Sequence, residues 1–421
     1  LFGNYNYAKS DNFSKMFSTS NRFDTLFEQT NRVIFSNNSH NFKAGMDYFV
    51  DAKSTVGVVV NGNIGNNGIS TKGPMTFTYI PTNTIDRILE ANNSNEIKRK
   101  NINTNLNYRY AVTGGSELNI DADYGFFENR SDQLQPNYYL TFPGRDVIST
   151  AIYNMIAPTD IDLYSLKTDY ERNFKGGRLG IGGKVSFVNT DNDFQRYNVY
   201  NSGKELDTLK SNKFAYKENI NALYLNYNKA FKGFMVQMGV RMENTHSKGR
   251  SEGQKQLNNG DYVPYDSSFN RNYTDFFPSA AITFNKNPMN QWSLTYSRRI
   301  DRPAYQDLNP FEFKMNEYMY MKGNTELLPQ YTNSFGITNI FKYKLTTTLN
   351  YSHVKDIFAQ IPDTIEKTKA FMFKQNLATQ DIVSLNVSYP FQYKWYSFFA
   401  TMNAFYAYYK ADFGGGDRNI E

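Results

Sequence analysis

The side chains best placed to do chemistry are three arginines and two carboxylates crowded into one stretch: Arg298, Arg299, Asp301, Arg302 and Asp307. Guanidinium groups at a strand end suit two tasks. They clamp an anionic ligand, or they pair with carboxylates and brace a long loop. Pro303 and Pro310 stiffen the same stretch, which favours bracing. The other candidates are weaker. His40, His246 and His353 are isolated and lack metal-ligand spacing. Gly177-Arg178-Leu179-Gly180-Ile181-Gly182-Gly183-Lys184 resembles a phosphate loop only superficially. Arg178 stands where its first glycine belongs, and Val185 follows the lysine where Ser or Thr is required. Asp191-Asn192-Asp193 offers oxygen ligands without the glycine and closing glutamate of an EF-hand, which leaves at most a loose calcium site. Asp121 and Asp123 share one strand face, as acid–base catalysis would need, but a water-lined wall uses such pairs more often. No catalytic, cofactor-binding or metal site is expected, and no enzyme.

The elements that must carry these residues are strands, because the pattern alternates. In Asn101–Tyr110 the odd positions are Asn or Arg, and the even ones are Ile102, Thr104, Leu106, Tyr108 and Tyr110. Leu118, Ile120, Ala122, Tyr124 and Phe126 repeat the pattern after Gly114-Gly115. So do Phe234–Met242, Leu345–Tyr351 and Val383–Tyr389. Period two gives each strand one apolar and one wet face. Many segments are long enough for a tilted membrane-crossing strand, which needs about 9 to 11 residues. Short turns are expected at Asp51–Ser54, Thr113–Ser116, Lys229–Gly233, Asn285–Met289, Phe341–Lys344 and Pro390–Lys394. Long polar loops are expected at Asn66–Lys98, Arg130–Pro158, Asn189–Asn212, Ser247–Asn272 and Asp301–Leu328. Thr84–Ala91 reads as a turn of helix inside one of them. Sorting of short and long connections by parity is a property of outer-membrane barrels, and a soluble sandwich has no reason for it.

Composition agrees. The 421 residues have a mean hydropathy of -0.63, yet 16% are aromatic, with 33 Tyr and 34 Phe. Disordered chains are poor in aromatics, and a soluble core would use Leu, Ile and Val. Rings with a polar tip suit membrane–water interfaces, and Tyr396, Phe398, Tyr406 and Tyr408 fit such a girdle better than a carbohydrate-stacking platform. No run reaches the roughly 18 apolar residues of a spanning helix. The longest, Val56-Gly57-Val58-Val59-Val60, is strand-sized. There is no cysteine, hence neither disulfide nor thiolate site. The formal charge of +6 comes without a basic run, so nucleic acid is not an expected partner. The fold class is therefore all-β: a large antiparallel up-and-down transmembrane barrel over residues 1–421. About 15 strands are counted, against about 22 in the large transporters. Leu1-Phe2-Gly3 without an initiator Met, and the loop-like Gly414–Glu421, suggest a barrel cut at both ends.

Ser297-Arg298-Arg299-Ile300-Asp301-Arg302-Pro303-Ala304-Tyr305-Gln306-Asp307-Leu308-Asn309-Pro310-Phe311, then Gly323-Asn324 and Leu327-Leu328-Pro329-Gln330-Tyr331, carry a resemblance. They resemble the outer-membrane β-barrel family related to TonB-dependent receptors, abundant in the Bacteroidota. Ser39–Tyr48 and Leu118–Tyr124 are similar to that family's strands. The resemblance implies a bacterial outer-membrane location, with outer-membrane lipid as surroundings. It also implies uptake of a scarce, unidentified small ligand, powered by the TonB complex through a plug region that this chain lacks. A surface lipoprotein is a further candidate partner. Within the motif, Arg298, Arg299, Asp301, Arg302, Pro303, Tyr305, Asp307, Asn309, Pro310, Gly323, Asn324, Pro329 and Tyr331 are expected to be structural. The alternative function is a barrel that anchors surface loops for adhesion or assembly without energised transport. A soluble sandwich array is a third and weaker one.

Overall fold

The computed structural model describes the whole chain except residues 23, 258–260, 311, 317–318, 367–368, 413–416 and 421. Seven strands follow one another as hairpins: β1 (Phe2–Arg22), β2 (Thr25–Phe49), β3 (Ser54–Tyr79), β4 (Thr84–Ala111), β5 (Glu117–Leu140), β6 (Val147–Phe174) and β7 (Gly177–Tyr200). A short β8 (Gly203–Leu206) folds back on β7, and a 3-10 turn at Thr208–Lys210 leads into β9 (Asn212–Phe231). β10 (Phe234–Gln256), β11 (Tyr262–Phe284) and β12 (Asn290–Asp301) continue the wall. After β12 the chain leaves the wall, makes a 3-10 turn at Tyr305–Leu308 and forms a small hairpin of β13 (Glu312–Asn316) and β14 (Met319–Lys322). It then returns as β15 (Gln330–Phe341), β16 (Leu345–Glu366), β17 (Lys369–Tyr393), β18 (Tyr396–Asp412) and β19 (Asp417–Ile420).

Among the described residues, fifteen of these strands have 12 to 28 residues. They pair antiparallel with their neighbours in chain order. β7 joins β9 directly, with β8 on the end of β7 beyond it, and β12 joins β15 directly, so the β13–β14 hairpin stands off the wall. The sheet is not closed: β1 pairs with β2, and β18 pairs with β17 and β19. The alternation sorts side chains as anticipated. Val56, Leu106, Leu166, Ile181, Leu225, Met238, Leu294, Ile337 and Leu349 are exposed on the outside. Asn105, Asp123, Ser165 and Asn107 turn inward and bond to one another, with Asn105 Nδ2 donating to Asp123 Oδ1 at 2.7 Å. An apolar exterior around a polar interior is the membrane-barrel arrangement.

The connections need correction. The short turns cluster at one end, and β6–β7 adds another at Lys175–Gly176, whose φ of 47° and 74° suit a two-residue hairpin loop. In the turn before β3, Asp51 Oδ1 accepts the backbone N–H of Lys53 and Ser54 at 2.6 and 2.8 Å. At the opposite end, the stretches expected as long loops are largely strand. β3 and β4 pair all the way to Tyr79↔Thr84, and β5 and β6 to Leu140↔Val147. Thr84–Ala91 opens β4 and is not helical; Ile88 and Leu89 are buried there. The reason is that polar side chains pair across strands as well as apolar ones do. Asn154 Nδ2 reaches Asp132 Oδ1 at 2.6 Å, and Ser131 meets Asn95 Oδ1 at 2.8 Å. A 28-residue strand such as β4 spans roughly 90 Å at about 3.3 Å per residue. The hydrocarbon layer is only about 30 Å thick. The hairpins therefore stand far out of the membrane.

Candidate functional site

The segment between β12 and β15 carries most of the motif, and it folds into the lumen. Its entry is pinned by Arg302, whose side chain is 21% exposed. Nη2 donates to Glu243 Oε2 at 2.6 Å and to Thr245 Oγ1 at 2.9 Å, both on β10. Arg241 Nε holds the other oxygen of Glu243 at 2.5 Å. Burial opposes the Arg302 charge, and the Glu243 carboxylate outweighs it, so the guanidinium is held above its ordinary value. One carboxylate between two arginines leaves a positive charge over at this point.

Beyond Pro303 the segment buries apolar groups. Leu308 and Leu327, 2% and 0% exposed, pack on Phe214 and Tyr216 of β9, with Phe269, Tyr305 and Phe358 around them. Fully burying a leucine is worth about 1.5 to 3 kcal/mol, enough to draw this loop inward. Polar contacts then fix its path. Arg271 of β11 donates to the carbonyls of Thr325 and Leu327 and lies over the Phe269 ring. Asn212 Nδ2 donates to Asn309 Oδ1 at 3.1 Å, and Asn324 N donates to Asp307 O at 2.6 Å. A Cβ on Gly323 would collide with the Asn309 backbone, which explains a glycine there. On re-entering the wall, Tyr331 donates its hydroxyl to Asp275 at 2.8 Å, under the guanidinium of Arg298.

The motif charges do not pair as their closeness in sequence suggested. Arg298 faces Asp275, at 3.8 Å, and Asp307 pairs with Lys374 of β17 at 2.9 Å. Asp301 accepts from Gln330 at 3.1 Å, and Arg299 is exposed on the other face of β12. Pro303 and Pro310 are half-buried and Pro329 is buried. Glu243, Arg271, Asp275, Lys374 and Asn376 complete the site without belonging to any motif. Their one sequence signal is a polar residue at an inward position of an alternating strand, which many other residues share.

A second inward element meets the first. β16 and β17 pair regularly up to Val354↔Gln380, then shift register at Val354/Ile357. Asp356 there has φ of 57°. A bulge bends a strand, and beyond it Phe358 reaches the Leu308–Leu327 cluster. Asn376 locks the two elements: its Oδ1 accepts Leu328 N at 2.7 Å and its Nδ2 donates to Leu328 O at 2.9 Å. Asn324 Nδ2 donates to Lys374 O at 3.1 Å, and β14 pairs in parallel with β17 from Met319↔Ala370 to Lys322↔Phe373. Between the joined elements and the wall of β5, β6 and β7 lies a cavity of about 500 Å³, lined by Asn129, Thr159, Asn192, Phe194, Gln306 and Gln360 among others.

The remaining candidates sit apart. His40 bonds to Tyr5, His246 to Asn270 and His353 to Asp381, each on different strands. No group of three or more potential metal ligands occurs among the described residues. Gly182 lies under the Tyr224 ring, within β7, and Asp191–Asp193 are also strand.

A family model described as the outer membrane protein beta-barrel family matches residues 111–420. The chain belongs to this family. It is a bacterial outer-membrane protein, as family and fold both require. Among solved structures, the copper transporter OprC is similar at 10% identity and a TM-score of 0.58, over 97% of this chain and 61% of that one. The siderophore receptor PiuA from Acinetobacter baumannii is similar at 9% identity and 0.50, over 98% and 66%. The RagAB peptide transporter is similar at 11% and 0.54, over 96% and 51%. At such identities the likeness is one of fold. The chain thus spans about half to two thirds of the length of these structures. A search of the curated proteins gave no match. The family is one of outer-membrane barrels, and the fold is one that this chain shares with solved outer-membrane receptors and transporters.

Proposed function

We propose that the protein takes up a scarce nutrient ligand across the outer membrane as a TonB-dependent receptor-like transporter, and that residues 1–421 form its barrel domain. The observation that carries this reading is the lumen end opposite the short turns. There two inward elements and the wall frame a ligand-sized, partly open cavity. Cavities of about 300 to 1,000 Å³ are typical of small-molecule sites. An anchor for surface loops has no need of a shaped cavity inside its wall. The motif residues Arg298, Arg302, Asp307, Asn309, Gly323, Asn324 and Tyr331 then act structurally, by holding the inward segment in place. Energy from the TonB complex, through a plug region, and a capping lipoprotein belong to the same reading.

The test is depletion of nutrients from a defined medium by strains with and without the gene, each with and without TonB. Loss of one nutrient's uptake in both single mutants supports energised transport. Unchanged uptake together with lost surface attachment would establish the adhesion or assembly reading instead.

A further inference from the structure

The geometry points to a ligand subsite in the lumen cavity that takes a neutral, hydroxyl-bearing ring compound. This deepens the uptake reading and rests on it for its physiological meaning, although binding itself needs no transport. The argument starts from charge. Asp307 and Lys374 both line the cavity, and they neutralise each other at 2.9 Å. Lys322, also on its wall, has an interaction of its own. A charged ligand would have to break the Asp307–Lys374 pair or enter without a counter-charge, and an unpaired charge in such a space is costly.

What the wall offers instead is amides and rings. Asn129, Asn192, Gln306, Asn309 and Gln360 line the cavity. Each amide has both donors and acceptors, which matches the donor–acceptor character of neighbouring hydroxyls. Asn192 directs its nitrogen to Thr159 Oγ1 at 2.8 Å and to the Pro158 carbonyl at 3.3 Å, so its oxygen is what it offers to a ligand. Phe194, Tyr305 and Phe373 supply flat apolar surfaces, with Met321 and Met372 beside them. A compound with an apolar ring face and a hydroxylated edge satisfies both sets of groups at once. A metal ion would find one carboxylate here, already paired, and a purely apolar compound would make no use of the Asn192 oxygen or the Gln360 amide.

The test is equilibrium binding to the folded chain in detergent micelles. Neutral probes are cellotriose, raffinose and adenosine; charged probes are trilysine, triglutamate and ferric citrate. Saturable binding of a neutral probe is expected, without binding of the charged ones. Gln360→Ala, at an exposed position, and Asn192→Ala should each weaken it roughly tenfold, the equivalent of about 1.4 kcal/mol. Barrels that keep their unheated gel mobility qualify as folded. Binding of charged probes only, no binding of any neutral probe, or neutral binding that neither substitution weakens would each overturn the inference. Gene-dependent nutrient uptake that persists beside such a failure would leave the transport reading standing. Lost energy dependence beside intact neutral binding would overturn the transport reading alone.

Discussion

Arg302 is the residue on which the inward path turns. It answers Glu243, and Glu243 has a second guanidinium in Arg241. Arg302→Ala therefore does not strand a lone carboxylate, and the loss is that of one charged hydrogen bond with its Thr245 branch. An effect of about 2 kcal/mol is expected, read as earlier protease cleavage between residues 303 and 329. Arg302→Lys should recover part of it. Gly323→Val should open the same segment by a different route, steric conflict with Asn309, and be equally visible to protease. The motif residues were legible in the sequence, but their partners were not. Asp307 lies close in sequence to Arg302, yet pairs with Lys374 across the lumen. Neighbours along the chain are poor guides where a loop crosses to another wall.

At the scale of elements, alternation located the strands and misplaced their ends. Asn92, Asn93, Ser94 and Asn95 look like loop, but they pair with Lys72, Thr71, Ser70 and Ile69 in unbroken register. Once a strand leaves the membrane, its outer face no longer needs apolar residues, so the signal that marks it fades while backbone pairing continues. The bend in β16 was also silent, since a bulge at Asp356 leaves no sequence mark. The distal β10–β11 hairpin gives a pH test of these extensions. The Arg250 hydrogen bond holds Asp266 below the usual carboxylate range. A depressed carboxylate contributes stability above its unfolded value near 3.9, and that contribution goes as pH falls through the lowered folded value. Protection factors for hydrogen exchange at Arg250 and Asp266 should thus be flat from pH 7 to 5 and fall only in stronger acid. Asp266→Asn should remove that acid dependence.

For the whole molecule, the decisive contrast is between an exposed apolar exterior and a hydrogen-bonded polar interior. Leu225→Arg places a charge on the lipid-facing side and should cost about 2 to 4 kcal/mol if it lies near mid-membrane. Urea titration of folding into lipid vesicles measures this. Asn226→Arg, the next residue and inward-facing, should cost much less. Class and topology were legible in the sequence because the membrane imposes period two on every strand. The contents of the lumen were not, since two segments remote in sequence build them together.

The inward fold itself is tested most directly by a disulfide. The chain has no cysteine, so Met321→Cys with Met372→Cys introduces the pair alone, at register partners of β14 and β17 that both line the cavity and take no part in the Asn376 lock. Under mild oxidation in intact outer membranes, near-complete cross-linking and resistance to a membrane-impermeant maleimide are expected. Two free thiols that label readily, in a barrel that keeps its folded gel mobility, would contradict the joined inward elements and the cavity they frame.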